Sequence, residues 1–296
     1  MRKTGFETRA MMIGMIVIIC NGDHDKMISR RSSLTWFEEW FFYFEFKWGR
    51  TITRWVDAKA VYKKDMKGLL VIFKSKVSIA LQCRERWPRF VSFDEDHTLM
   101  KQTWKDKYKD KRIIMWDDTN VNFCFMPSGA DEQRLTYSMY YAGNCAKGGV
   151  FLQLCGWTGV ENLWVGATSD SHYQEHTNIF EKQNRFAKND LVYGQLIPFT
   201  NIFDKGYRVN LPAWRAGRQQ VIQPTFAKSD CKFSGRETLH TASVASDRSA
   251  NERAVNRCKQ SGYIQRGLKQ NGDPTTMDDV WLTWSFQTNF MYNAVL

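Results

Sequence analysis

The strongest constraint on the fold is a change of pattern near residue 110. Beyond it come RIIMWDDTNVNFCF (112–125), RLTYSMYYAG (134–143) and GGVFLQLCGW (148–157), rich in β-branched and aromatic residues and separated by Gly, Pro and Asn. Such runs suit a pleated, half-buried surface, so the pattern predicts three successive strands paired antiparallel. SDSHYQEHTNIFEKQNRFAKN (169–189) then has helical character, with Ser169 or Asp170 placed to cap it. LIPFTNIFDKGY (196–207) reads as a buried strand ending at Asp204, and a last long helix begins near Thr238–Ser243. Strand-strand-strand-helix-strand-helix predicts an α/β domain on a mixed sheet.

The chain before residue 110 is different. Residues 1–33 read as an N-terminal extension with a polar stretch at 21–33. Its apolar run MMIGMIVIIC (11–20) is half the roughly 20 residues that a spanning helix needs, so no membrane crossing is expected. Glu7, Arg9 and the lack of a small-residue cleavage site argue against a secretory signal. The run is expected to be a buried strand or helix. LTWFEEWFFYFEFKWG (34–49), TITRWVDAKAVYKK (51–64) and GLLVIFKSKVSIALQCRERW (68–87) carry helical spacing, and Gly49 is a natural stop. The first two form either a packing pair or a degenerate helix-turn-helix. The expected organisation is therefore an extension (1–33), a helical region (34–105), an α/β domain (106–272) and a tail (273–296).

Apolar residues at 43% and aromatics at 15% of the 296 positions indicate a folded protein. Net charge of +11 suits a polyanionic partner. Seven cysteines lie at scattered positions with no CxxC and no zinc-finger spacing, which predicts reduced, incidental thiols rather than a disulfide framework. His172 and His176 are four apart, but no Glu follows the first, so the pair lacks the zinc-protease pattern.

Three acids stand out. Asp117 follows four apolar residues inside the first strand, Asp204 ends a strand, and Glu252 lies in DRSANERAVNRCK (247–259) among Arg248, Arg253, Arg257 and Lys259. Carboxylates beside apolar neighbours are costly unless paired or bound to a cation. An all-oxygen Asp/Glu set points to Mg²⁺ or Mn²⁺. Each acid also has a plainer reading. Asp117-Asp118 suits a strand-end turn, Asp204-Lys205-Gly206 an ordinary turn, and Glu252 a salt bridge with Arg248 or Arg253.

IIMWDDT, FDKGY and VASDRSANERAVNRCK, in that order and 87 and 48 residues apart between the acids, resemble the motifs of DDE-superfamily endonucleases. These are the transposases that include Harbinger elements and related insertion-sequence enzymes. SDSH and IQPTFAK resemble further stretches of the same family, and the match covers roughly residues 110–262. Asp118 stands where the family often has Gly or Cys. Either aspartate then offers itself as the first ligand, with Asp117 favoured by its register with Thr119.

The resemblance implies an RNase H-like mixed five-stranded sheet flanked by helices, and DNA cutting and joining with two Mg²⁺ or Mn²⁺ ions. Asp117, Asp204 and Glu252 are then the catalytic ligands, and Asp170 at most supports them. The implied partner is double-stranded DNA, at transposon ends, with an accessory DNA-binding protein and a homo-oligomer in view. The implied location is the nucleus in a eukaryote, or the cytoplasm and nucleoid in a bacterium. From 205 to 272 the chain has thirteen Lys and Arg against four acids, a net +9. Lys205, Arg208, Arg248, Arg253, Arg257 and Lys259 are the candidate phosphate contacts. A retained relative that binds DNA or protein without cutting is the alternative.

Overall fold

The computed structural model describes residues 6, 8–27, 32–48, 55–122, 129–207, 219–226, 232–265 and 274–291. The first part of the chain forms α1 (Arg9–Cys20), α2 (His24–Met27), α3 (Trp36–Trp48), α4 (Trp55–Tyr62), α5 (Met66–Arg86), α6 (Phe93–Leu99) and α7 (Gln102–Tyr108). Then come β1 (Arg112–Asn122), α8 (Ala130–Thr136), β2 (Tyr137–Ser138), β3 (Gly143–Gln153), β4 (Thr158–Val160) and β5 (Trp164–Val165). The rest forms α9 (Asp170–Thr177), α10 (Ile179–Asn189), β6 (Phe199–Ile202), β7 (Gln220–Ile222), α11 (Gly235–Lys259), α12 (Gly262–Gln265) and α13 (Pro274–Met291). The fold is mixed α/β. Its main sheet runs β2-β3-β1-β6-β7, with β4 and β5 also paired to β3.

Two compact units share the chain, each drawn from discontinuous stretches. The first takes Met1–Pro88, Val121–Ala146 and Arg257–Asn293. It is helical at heart, with α1, α3 and α13 packed on α5. In α3 the residues Trp40, Phe42, Tyr43, Phe44 and Phe46 are all buried, so nearly its whole circumference faces protein, as expected for a helix apolar on every side. The run 11–20 is α1, capped by the Thr8 side chain and closed by Asn21 in the left-handed region. Residues 274–291, expected only as a tail, are a helix that buries Met277, Val280, Trp281 and Trp284. Gly49, the expected stop of α3, lies outside the described residues, as does the link to α4. Among the described residues no helix is long and apolar enough to cross a membrane.

The second unit takes Arg89–Asn120, Lys147–Asn256 and the final three residues. Its sheet is mixed: β1 pairs parallel with β6 and β6 with β7, while β4 pairs antiparallel with β3. Phe90, Ile114, Trp116, Phe151, Ile179, Phe180, Phe199 and Phe203 form one core beneath it. A buried polar chain crosses that core. Trp116 Nε1 donates to Asn201 Oδ1 at 3.0 Å and Gln183 Nε2 to the same oxygen at 2.7 Å. Asn201 Nδ2 passes the chain to Gln219, which donates to the Phe180 carbonyl. Networks of this kind favour one packing, because each orphaned member costs about 1–3 kcal/mol; here Gln183 Oε1 is the atom left without a partner.

Three strand and helix expectations are revised. Residues 134–143 are not a strand but the end of α8, the two-residue β2 and a turn. Asp131 and Glu132 in the first turn of α8 and Arg134 in its last suit the helix dipole, and local propensity wins. The buried strand expected at 196–207 is only β6, four residues long, and Asp204 lies two residues past its end. The helix expected at 169–189 is two, divided at Asn178, whose φ of 51° breaks the hydrogen-bond ladder.

Candidate active site

All of β1 from Ile113 to Trp116 is buried, the signature of a strand covered on both faces. At Asp117 and Asp118 burial becomes partial, although Thr119 and Val121 further along the strand are buried again. The parallel register pairs Met115 with Ile202. Two residues further along each strand come Asp117 and Asp204. The same offset therefore puts both acids at matching positions just beyond the paired segments, Asp117 still inside β1 and Asp204 two residues past the end of β6. That end of the pairing is where open α/β sheets place their ligands.

Helix α11 supplies the remaining charges. Asp247 pins it to α7: Lys107 Nζ lies 2.5 Å and 2.7 Å from its carboxylate oxygens, and the Tyr108 hydroxyl donates to it at 2.5 Å. The next residue, Arg248, reaches Asp204, with Nη1 3.0 Å from Oδ1. Glu252, one turn on, shares the helix face of Arg248 and is exposed. The plain partners expected for Glu252 are engaged elsewhere: Arg248 is on Asp204, and Arg253 Nη1 donates to Ser249 Oγ at 3.3 Å.

The electrostatics show that these groups sense one another. Burial pushes Asp117 up to about 6; the Arg248 charge opposes that shift, and the Asp204, Asp170 and Glu252 carboxylates reinforce it. The charges of Asp204, Asp170 and Glu252 thus all reach Asp117. Asp118 lies deeper. Burial, and then the Asp170 charge, hold it well above the usual carboxylate range against the pull of Lys147. Gln174 Nε2 donates to Asp118 Oδ1 at 3.2 Å. Its other oxygen and the Tyr207 hydroxyl lie near each other but outside strict hydrogen-bond geometry. Asp118 belongs to the buried support of the edge rather than to a turn.

Sequence reasoning missed several members of this support. Lys147, in the buried part of β3, holds Asp170 at 2.5 Å. Ser169 caps α9, as expected, which leaves Asp170 free for that ion pair. Tyr173 accepts from the Gly149 N–H at 2.8 Å and donates to the Asn162 carbonyl. A Cβ at Gly149 would meet Tyr173 at 2.7 Å and Asp118 at 3.2 Å, so only glycine lets β3 pass beneath the acids. Gln223 Nε2 donates to the carbonyls of both Asp204 and Tyr207 at 2.7 Å, fixing the turn after β6. The one sequence signal for this group is the AKGG run, a lysine and two glycines opening an apolar strand.

The candidate phosphate contacts divide. Lys205 is exposed beside Asp204, its amine 5.5 Å from the Phe233 ring centroid, and its N–H donates to Asp204 Oδ1. Arg253 is exposed on α11. Arg257 and Lys259 continue α11 but fall in the first unit, and Arg208 lies outside the described residues. His172 pairs loosely with Glu175 at 3.8 Å and the His176 ring packs on Trp164, as surface helix residues do.

Oxygen-only acids that repel one another fit a hard divalent cation chemically. In placement, no group of three or more His, Cys, Asp or Glu among the described residues is disposed to hold a metal ion. No protein-family model, no curated protein and no solved structure matches this chain.

Proposed function

We propose that the chain is a metal-dependent DNA endonuclease of the DDE transposase type, on an RNase H-like sheet, that cuts and joins phosphodiester bonds. The observation that carries this reading is the matched position of Asp117 and Asp204, each two residues beyond the parallel β1–β6 pairing, with the Glu252 charge felt at Asp117. Asp117, Asp204 and Glu252 would hold two Mg²⁺ or Mn²⁺ ions, which when bound supply Lewis-acid stabilisation of the reacting phosphate oxygens. The chain's own residues do the rest. Lys205 and Arg253, both exposed, provide positive charge for the DNA backbone. Lys147 and Gln174 fix Asp170 and Asp118, and the buried core of β1 fixes the angle at which Asp117 emerges. Double-stranded DNA is the proposed substrate.

The test is nicking of supercoiled plasmid with Mg²⁺ or Mn²⁺. Cleavage lost in Asp204→Ala, with DNA binding retained, supports the reading; salt-sensitive binding with no metal-dependent cutting sinks it. That second result would favour a DNA- or protein-binding module derived from such an enzyme. One observation supports this alternative: Arg248 is paired with Asp204, and among the described residues no acid trio is set to take an ion.

A further inference from the structure

The helical unit has no part in the nuclease reading, and its charges are sorted between inside and outside. Glu39 and Glu45 on α3 are buried, the first against Lys76 and the second accepting from the Tyr62 hydroxyl. The lysines of α4 and α5 mostly face out. From Lys59 to Lys74 the chain has five lysines against one acid, Asp65. The Asp65 carboxylate is taken up in capping α5, accepting from the Gly68 N–H at 2.9 Å, and no further acid comes before Glu85. Only residues 63–65 join the two helices, with Lys63 at a φ of 50° after the end of α4. Lys59, Lys63 and Lys67 are exposed and, among the described residues, have no ion pair. On α5 the exposed Lys67, Val71, Lys74 and Ser78 recur at i, i+4, i+7 and i+11, one face of the helix. Lys67 sits in a first turn without acids, at the positive end of the helix dipole, so local stability does not explain it. Val71, 68% exposed, lies between the lysines.

We propose that this face of α4 and α5 is a docking surface for duplex DNA, with Lys59, Lys63 and Lys67 on backbone phosphates and Val71 packed against the duplex between them. The inference goes beyond the nuclease reading: it uses none of the acids at the sheet edge and stands whether or not they cut. A run of lysines without interspersed acids complements a partner of uniform negative charge, and phosphate contacts of this kind give affinity and position rather than sequence choice. An anionic membrane surface fits less well. A helix lying in a membrane interface needs a continuous apolar face to insert, and the apolar face of α5 is already packed on α1, α3 and α13. What α5 leaves in water is a charged face with single apolar residues in it.

Binding of a short fluorescent duplex by the full chain, followed by anisotropy over a series of salt concentrations, tests this. Lys59→Gln, Lys63→Gln and Lys67→Gln together remove three phosphate contacts, so the slope of log affinity against log salt should become shallower by about 2.7, roughly 0.9 per contact. Val71→Glu adds an acid at an exposed site and should weaken binding about tenfold or more; it serves if the triple variant does not fold. Arg185→Gln with Lys188→Gln removes two exposed charges from α10 in the other unit and should leave the slope unchanged. A loss per charge on α10 equal to that on α4 and α5 would show an effect of net charge alone and overturn the proposal. An unchanged slope in the triple variant overturns it and leaves the nuclease reading standing. Absence of DNA binding by the unaltered chain overturns it and removes the DNA substrate of the nuclease reading as well. Binding to phosphatidylserine vesicles that the triple variant loses, with duplex binding untouched, assigns the face to a membrane and overturns the proposal too.

Discussion

The two units hold ionisable groups of opposite sign in opposite settings, one closed and one open to solvent. In the first, Lys47 is fully buried and its Nζ meets neutral oxygens: Tyr43 and Thr283 at 2.7 Å and Gln287 at 3.0 Å. In the second, Asp117, Asp204, Glu252 and Asp170 interact across one sheet edge with Arg248 and Lys147 among them. A single lysine surrounded by helices can shed its proton, and burial does hold its pKa well below the ordinary value. Carboxylates gathered at a strand end repel one another and need a cation. The first solution is structural, since Nζ sits in a closed set of three side-chain oxygens and has nothing left to bind. The second leaves a demand for positive charge facing solvent, which is what a functional site looks like.

The largest effect that would sharpen this contrast comes from a matched pair. Lys76 and Glu39 are both buried and meet at 2.8 Å in the same unit as Lys47. Lys76→Met would strand the Glu39 carboxylate and is expected to cost about 3–5 kcal/mol in denaturant unfolding, and a double variant that also replaces Glu39 by Leu should recover most of it. A loss below about 1 kcal/mol would mean that burial here tolerates unpaired charge, and the distinction between the two lysines would fall.

Lys47→Met should be far milder, about 1 kcal/mol, because it strands no partner charge and deprives chiefly Gln287 of a partner. Tyr43 keeps the Gln287 amide and Thr283 keeps the Asp279 carbonyl. The pH dependence is more diagnostic. Lys47 binds its proton less readily folded than unfolded, so between its depressed folded pKa and about 10.4 the unfolded state holds more protons. Its contribution to stability therefore rises with pH across that window and is lost as pH falls. The difference between the unaltered chain and Lys47→Met should grow from pH 7 to pH 9.5. A flat difference would show that Lys47 stays charged in the fold.

Much of this architecture is legible in the amino-acid sequence. β1, β3 and α11 are visible there because β-branched runs and helical spacing persist over ten residues or more, and the three acids stand out by their places in or at the ends of those runs. What the sequence does not reveal follows from tertiary context. β4, β5 and β7, two or three residues long, exist only because a neighbouring strand offers hydrogen bonds. Segment 134–143 is aromatic without being a buried strand: Tyr137, Tyr140 and Tyr141 all face solvent, where a half-buried strand would alternate them with core positions. Lys147 and Gln174 join the site through pairings 23 and 56 residues distant, which periodicity cannot show. Arg248 is visible as a basic neighbour of Glu252, but its partner is the acid at position 204, a whole sheet edge away in sequence.

The smallest expected change in stability belongs to Glu252, and it bears most directly on the second unit. The side chain is exposed, and among the described residues it has no ion-pair partner, so Glu252→Gln should shift unfolding by no more than about 0.5 kcal/mol. If the nuclease reading holds, the same change removes a ligand charge and cleavage should drop roughly a thousandfold or more, several kcal/mol of lost charge stabilisation. It should also ease the repulsion on Asp117, lowering that group from about 6, visible as a carboxyl carbon shift titrating at lower pH. Cleavage that survives Glu252→Gln would remove the third arm of the site while leaving the Asp117–Asp204 pairing in place. A loss of stability above about 1 kcal/mol would instead return Glu252 to the role of a helix-surface salt-bridge partner. Silent in stability and large in cleavage is the combination that separates an acid kept for binding from one kept for folding.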